Sequence, residues 1–339
     1  MGVPMDPEFP KRFRDKRSDR TDLVTTWREE EMLDGEVVNS FAIIFRTRGC
    51  SWSYRSGCTM CGYHTATNPG ITEDNLRSQL NEALERYKGE EIVKIYTSGS
   101  FADEGEISSE LASLILSSFD SRLTVVETRP EYVTDQKMKS MCSEVNELEV
   151  AIGLESSSDF VLKHCVNKGF TYQDYLTARE KIFLAGARSR TYLLLKPPFL
   201  TEIEAMDDLL NSMEAVSHPK NTISVNPVNV QKFSPLELLW KRKLYRPPWL
   251  WSLLDVLERT DQRPVISRAG LGSFRGAHNC GDCDKDVLKI ITLYGTTGEI
   301  PDEIPRCSCK SEWETEKNIQ STYFRGSMEI LSNRYAGYV

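Results

Sequence analysis

The sequence has no apolar run of the roughly 18–20 residues that a membrane-spanning helix needs, and no contact with a membrane is expected. Its first twenty residues, MGVPMDPEFPKRFRDKRSDR, contain no apolar core of the kind a secretory signal carries, so a cytoplasmic location is expected. No 20–50-residue internal repeat and no long low-complexity segment is present. Positive charge is not in excess. The 42 Lys and Arg stand against 50 Asp and Glu, and the net charge of −8 argues against a nucleic-acid-binding surface spread over the whole molecule. The nine cysteines are odd in number, and a reducing cytosol disfavours disulfides. Metal binding is then the leading reason for thiols that cluster in sequence.

What is present is an ordinary globular composition over 339 residues, long enough for about two domains. Strand-like and helix-like segments alternate. Strands are expected at 40–47, 91–100, 123–130, 148–156, 190–198 and 222–230. Helices are expected at 71–89, 107–119, around 158–166, 172–186 and 202–216. Thr72 is placed to cap the first of these helices and Gly89 to stop it. Six β–α units point to an α/β fold with a parallel sheet covered by helices, either an incomplete barrel or an open doubly wound sheet. In both, a ligand site belongs at the carboxyl ends of the strands. Cys50, Ser98, Gly99, Ser100, Glu127, Glu155, Lys196 and Asn226 all fall at those ends. After about residue 235 the rhythm breaks. The expected division is a basic extension at 1–39, a barrel at 40–235 and a C-terminal metal-binding domain at 236–339. Two basic stretches, 11–20 and 241–249, are candidates for phosphate contact or simply solvated surface.

Cys50, Cys58 and Cys61 follow the first of these strands with the spacing C-x7-C-x2-C. Structural zinc takes four protein ligands, and the local fourth could only be His64. A cubane iron–sulfur cluster also takes four ligands, and three thiolates from one loop would leave one iron open to a group that is not protein. Three reduced core thiols are the remaining possibility. In the second group, Cys280 and Cys283 are followed by 23 residues and then Cys307 and Cys309. Two close pairs suit a tetrahedral zinc ion, with a second iron–sulfur cluster or buried thiols as rivals, and His278 could replace or support a ligand. Cys142 and Cys165 lie in expected helices and read as core.

A three-cysteine loop after the first strand of a β/α chain resembles the radical-SAM superfamily. The usual loop there is C-x3-C-x2-C with an aromatic before the last cysteine. Here x7 replaces x3 and Met60 takes the aromatic position, which resembles the elongator-protein-3-like branch. The resemblance implies a partial (β/α)6 barrel, a 4Fe-4S cluster on Cys50, Cys58 and Cys61, and S-adenosyl-L-methionine on its open iron. It further implies that TSGSF (97–101) receives the SAM amino group through Ser98, Gly99 and Ser100. Glu127 in ETRPEY would meet the ribose hydroxyls and Tyr63 the adenine, with Asn226 as a further cofactor contact. Glu127 could otherwise pair with a neighbour such as Arg129, and Asn226 could cap a turn before Pro227.

Taken with GLES, NKGFTYQDY, KPPFLTE and the terminal cysteines, the chain is similar to the archaeosine-biosynthesis radical-SAM family over most of residues 40–310. That likeness implies a C–N lyase acting on tRNA that carries a lysine-adducted 7-cyano-7-deazaguanine in its D-arm. It also implies archaeosine synthase, the lysine-transferring subunit, and an electron donor as partners. Glu155 and Lys196 are the expected partners of the lysine ammonium and carboxylate. The rival readings are another radical-SAM tRNA-modifying enzyme and a non-catalytic, zinc-dependent RNA-binding module.

Overall fold

Eight strands form one sheet and lie in it in the order in which they occur along the chain; the computed structural model describes residues 16–323. β1 (Thr25–Leu33) and β2 (Glu36–Ile44) make an antiparallel hairpin. Asp34 and Gly35 both take positive φ at its tip, as a two-residue turn that follows strand twist requires. From β2 onward every neighbour is parallel: β3 (Ile92–Tyr96), β4 (Leu123–Glu127), β5 (Leu148–Glu155), β6 (Arg188–Leu195), β7 (Asn221–Pro227) and the two-residue β8 (Val265–Ile266). A sheet that always steps to the next strand in the same direction puts its crossover helices on one face and curls around the other. β1 and β8 stay at opposite edges of the sheet, so the barrel is partial.

The six expected strands are β2 to β7. β1 is not among them, although it lies inside the stretch assigned to a basic extension, and neither is β8. Helix α1 (Ser51–Arg55) follows β2. α2 (Glu73–Arg86) begins at a capping box on Thr72, as expected, and ends before Gly89. α3 (Ser109–Ser117), α4 (Asp135–Cys142), α5 (Tyr172–Leu184) and α6 (Glu202–Val216) complete the outer layer. Their N-caps are Ser108, Thr134, Thr171 and Thr201, each accepting a backbone N–H at the third position of its helix.

Each parallel strand has two unlike faces. Val93 and Ile95, Val150 and Ile152, and Leu193 and Leu195 point outward into the core beneath α2 to α6. Their alternates Lys94 and Tyr96, Gly153 and Glu155, and Arg190 and Tyr192 point inward and line a cavity. α7 (Pro235–Lys241), α8 (Leu250–Arg259), α9 (Asp284–Thr297) and α10 (Cys309–Tyr323) follow the sheet. Trp251, Leu254, Val287 and Trp313 from this region share one apolar core with the barrel helices. Among the described residues, no helix is long and apolar enough to cross a membrane.

Candidate functional site

The inward face of the sheet and the loops at its carboxyl edge enclose one cavity of about 1190 Å³. Cys50, Cys58, Cys61, Tyr63, Ser98, Gly99, Glu127, Glu155 and Asn226 all line it. Ser100 and Lys196 do not. Ser98, Glu155 and Lys196 take positive φ of 58°, 78° and 66° although none is glycine. Left-handed backbone at three strand ends is a cost concentrated at the carboxyl edge of the sheet.

The cysteine loop is held down by the connection that leads into α5. Thr59 donates its N–H to Val166 O (2.9 Å) and its hydroxyl to Cys165 O (2.7 Å). Asn167, at a φ of 55°, donates its side-chain amide to Ser56 Oγ (2.9 Å) and Gly57 O (2.8 Å), while Trp52 donates its indole N–H to Asn167 O (2.9 Å). A Cβ on Gly169 would lie 2.6 Å from the Trp52 ring, so this glycine is required by close approach as well as by its φ of 79°. NKGF is thus the bed on which the cysteine loop lies. Arg17 braces the same loop, donating to Thr67 Oγ1 (2.7 Å) and Ser53 Oγ (3.0 Å). Cys58 sits among Val161, Cys165, Val166 and Leu200, with Met60 and Trp52 against them. Burial pushes the Cys165 thiol far above its ordinary value, as befits a core residue, and Cys142 packs at the edge of the main core.

The TSGS turn faces the cysteines. Gly99 has a reason of its own: a Cβ there would lie 2.1 Å from Glu106 Oε1. Glu106 accepts the Ser100 N–H (2.8 Å) and the Thr47 hydroxyl (2.7 Å) beneath the turn. Burial pushes its carboxyl up to about 8. The Ser100 hydroxyl accepts the Arg129 N–H at 3.2 Å and holds the turn from behind. Glu127 does face it, with Oε1 accepting the Thr97 N–H at 3.2 Å, and burial pushes its carboxyl up to about 7. Arg129 is not its partner: that guanidinium pairs with Glu131 at 2.6 Å and lies over the rings of Trp52 and Phe170. Burial alone would lower the Arg129 pKa, but Glu131 and the thiols of Cys50 and Cys58 raise it above the ordinary value.

Glu155 is locked to Lys168 at 2.7 Å, both buried. Lys168 feels Cys58 as well, so two cations act on the cysteine loop, Arg129 on Cys50 and Cys58 and Lys168 on Cys58. Neither stands out as a site residue in the sequence. Lys196 requires a correction. Its ammonium is buried in an ion pair with Glu202, which also accepts the Trp249 N–H (2.8 Å) and the Ser252 hydroxyl (2.7 Å). Lys196 therefore ties β6 to α6 and α8, outside the cavity lining, and it does not stand beside Glu155 as a substrate contact. Asn226 lies within β7, opposite Leu194, rather than capping a turn.

Deeper in the cavity lies a layer of charge that sequence reasoning misses. Lys94 pairs with Glu29 (2.7 Å) and Glu31, and Arg190 with Glu149 (2.6 Å). Tyr96 and Tyr192 lie beside them, and Trp27 stacks on Tyr96 at 5.9 Å. The signal is a period of two: Trp27, Glu29, Glu31; Lys94, Tyr96, Ser98; Arg190, Tyr192, Leu194; Ser224, Asn226.

The second cysteine group closes tightly. The sulfurs of Cys280, Cys283, Cys307 and Cys309 lie within 4.8 Å of one another, with Cys280–Cys307 and Cys283–Cys309 at 3.6 Å and Cys280–Cys283 at 4.0 Å. Four sulfurs at about 2.3 Å from one ion would be about 3.8 Å apart. Trp251 donates its indole N–H to Cys309 Sγ (3.3 Å) and Asn279 its amide to Cys283 Sγ (3.4 Å), hydrogen bonds that suit thiolates. His278 is not part of this set; its Nδ1 contacts Gly276 O at 2.7 Å. Among the described residues this is the only group that closes to single-ion distances. Cys50, Cys58, Cys61 and His64 do not.

Of the basic stretches, residues 11–15 lie outside the described residues. Arg17 is committed to the cysteine loop, and Arg246 lies over Trp249 at 3.7 Å while donating to His278 O (2.9 Å). The exposed cations at the two places are Lys16, Arg20, Lys241, Arg242 and Lys243, with Arg20 paired to Asp22 and Lys241 to Glu237.

No family model matches the chain. Two curated relatives do. It is 37% identical over 329 residues to an archaeosine synthase subunit beta of Methanosarcina acetivorans, covering 92% of this chain and 95% of that one. It is 37% identical over 311 residues to an archaeosine synthase subunit beta of Thermococcus kodakarensis, covering 86% and 95%. Among solved structures, methylornithine synthase aligns over 86% of this chain and 81% of that chain, at 14% identity and a TM-score of 0.49.

Proposed function

This chain belongs to the archaeosine synthase subunit beta family, and on that premise we propose that it is the radical-SAM component of archaeosine formation on tRNA. The observation that carries the proposal is the convergence of three thiols, two flanking cations and a buried carboxylate on one large cavity at the carboxyl edge of a partial barrel. Cys50, Cys58 and Cys61 would hold three irons of a 4Fe-4S cluster and leave the fourth to SAM. Arg129 and Lys168 offset the negative charge that such a cluster and its thiolates bring into a buried place. Backbone groups of Ser98 and Gly99 would take the amino end of SAM. Glu127 would accept its ribose hydroxyls, and Tyr63, 55% exposed at the rim, would cover the adenine. Glu155, paired with Lys168, would face the substrate side of the cavity.

The cluster and SAM supply, when bound, a deoxyadenosyl radical able to take a hydrogen from the lysine side of a lysine-adducted 7-deazaguanine. Loss of the lysine-derived C–N bond would leave the formamidine of archaeosine. The inner face of the sheet keeps that chemistry away from bulk water. The partners would be the tRNA, the lysine-transferring subunit of archaeosine synthase and an electron donor. A zinc ion on the second cysteine group would staple the region that, with the exposed basic residues, meets RNA phosphates, and binding would weaken as salt rises.

The test is anaerobic reconstitution of the wild type and Cys58→Ala with iron and sulfide, followed by reduction and addition of SAM and lysine-adducted tRNA. Wild type should release 5′-deoxyadenosine and form archaeosine, and Cys58→Ala should do neither. Deoxyadenosine without archaeosine would retain the chemistry and overturn the substrate. A folded, colourless wild type that releases no deoxyadenosine would overturn the proposal.

A further inference from the structure

We propose that the ionic layer deep in the half-barrel is the seat of a zwitterionic α-amino acid group on the substrate, its carboxylate going to Lys94 and Arg190 and its ammonium to Glu29 and Glu31. This rests on the reading above and deepens it: the amino acid end of the adduct is what the cavity floor recognises.

The first argument is placement. Glu29, Glu31, Lys94 and Arg190 line the same cavity as the three cysteines. Lys94 is two residues before Tyr96 and four before Ser98 on β3, so it lies roughly 13 Å along the strand from the turn that faces the cysteines. A four-carbon linker spans about two strand residues, roughly 6–7 Å, the step from Tyr96 down to Lys94. A substrate whose reacting carbon lies level with Tyr96, one such step below the turn, can therefore set a group at the end of such a linker among these charges.

The second argument is the state of the charges. Arg190 is anchored from behind by Glu149, which is 1% exposed, accepts Arg190 Nε–H at 2.6 Å and also accepts the Thr222 hydroxyl. Both terminal nitrogens of Arg190 reach only Glu31 Oε2, at 3.5 Å, well beyond the 2.7–3.2 Å of a good N–H···O bond. One edge of the guanidinium fork is thus fixed and the other poorly used. Burial and the nearby Arg190 lower the Lys94 pKa to about 8 in spite of its acidic neighbours, so a further carboxylate between the two cations would relieve Lys94. On the other side Glu29 is 30% exposed and turned toward the cavity.

The third argument is that packing does not require the charges. Directly adjoining them, the inner face is filled by Leu33, Val38, Ile92, Leu123 and Val125. A buried ion network is no more stabilising than well-packed apolar side chains of the same volume. Four charges lining a cavity floor that could have been apolar call for a ligand with both signs of charge.

The experiment has two arms on the cluster-loaded full chain. In one, turnover is compared for tRNA carrying the lysine adduct and tRNA carrying a pentylamine adduct, which lacks the amino acid group. Wild type should prefer lysine by about ten-fold or more in kcat/KM, the scale of charge-assisted hydrogen bonds. Arg190→Lys, which keeps the charge and loses the fork, and Glu31→Gln, which is nearly isosteric, should each erase most of that preference. In the other arm, binding of free L-lysine and of pentylamine is measured by calorimetry for wild type and Lys94→Met, with lysine alone expected to bind and only to wild type. If lysine-adducted tRNA is turned over but folded variants keep the preference, the amino acid site is overturned and the functional reading stands. If no adduct is turned over yet L-lysine binds through Lys94, the site stands and the functional reading is overturned. If L-lysine binds no better than pentylamine, or equally to Lys94→Met, the site is overturned.

Discussion

The two cysteine groups are built from the same atoms and do opposite things. Cys280, Cys283, Cys307 and Cys309 close on one another to single-ion distances and join the starts of α9 and α10 to Trp251 of α8. Cys50, Cys58 and Cys61 do not close to single-ion distances; they line a cavity, on a loop held by Asn167 and by the carbonyls of Cys165 and Val166. A set that closes on itself is suited to holding a fold together. A set propped open by Asn167, Trp52 and Thr59 leaves room for something larger, with cations already in place around it. Chemical function thus follows from what surrounds the thiols, since the thiols themselves are alike.

The sharpest way to break this comparison is to remove one ligand from the closed group. Cys283→Ala should abolish metal binding there and cost about 4 kcal/mol or more of stability, the scale reserved for lost metals and broken cores. Thermal melting with metal analysis checks it. Cys58→Ala should melt close to wild type, and equal losses in the two variants would mean that the groups are not distinct in kind.

A smaller effect is expected at the props of the open group. Asn167→Ala deletes two hydrogen bonds to the cysteine loop and leaves a non-glycine residue at positive φ, a loss of about 1–3 kcal/mol. The expected outcome is partial loading of iron with full loading of the second group, read by elemental analysis. Normal iron loading would show that the loop does not need its bed.

A third effect lies under the Gly99 turn and appears only with pH. The folded-state pKa of Glu106, about 8, is above its ordinary 4.5. Its contribution is full below about pH 4.5 and is lost as pH rises through about 8. Glu106→Gln has no proton to lose, so its stability relative to wild type should improve steadily between pH 5 and pH 9. Urea unfolding at the two ends measures it, and a constant difference would mean that the carboxyl is not held protonated.

Much of this site is legible in the amino-acid sequence. The three cysteines, Ser98, Gly99, Glu127, Glu155 and Asn226 fall at expected strand ends, and all eight line the cavity. They are legible because β/α periodicity fixes where strands stop, and strand ends are where such folds put ligands. Lys196 sits at a strand end too, yet it turns to Glu202, a residue six positions on that is buried by α8. Position along a strand does not say which way the chain turns after it.

β1 escapes a sequence reading because REEE looks like a solvated charge run. Its partners are remote: Lys94 lies 65 residues from Glu29, and Arg190 lies 159 from Glu31. The sequence by itself determined the succession of strands and helices, because apolar period and capping residues are local. It also determined which thiols travel together. Only the tertiary structure decided which face of each strand looks inward, which charges meet there, and that one cysteine group closes while the other stays open. Those outcomes depend on pairings between residues far apart in the chain, and electrostatic and packing energies are set by distance in space, which local sequence does not encode.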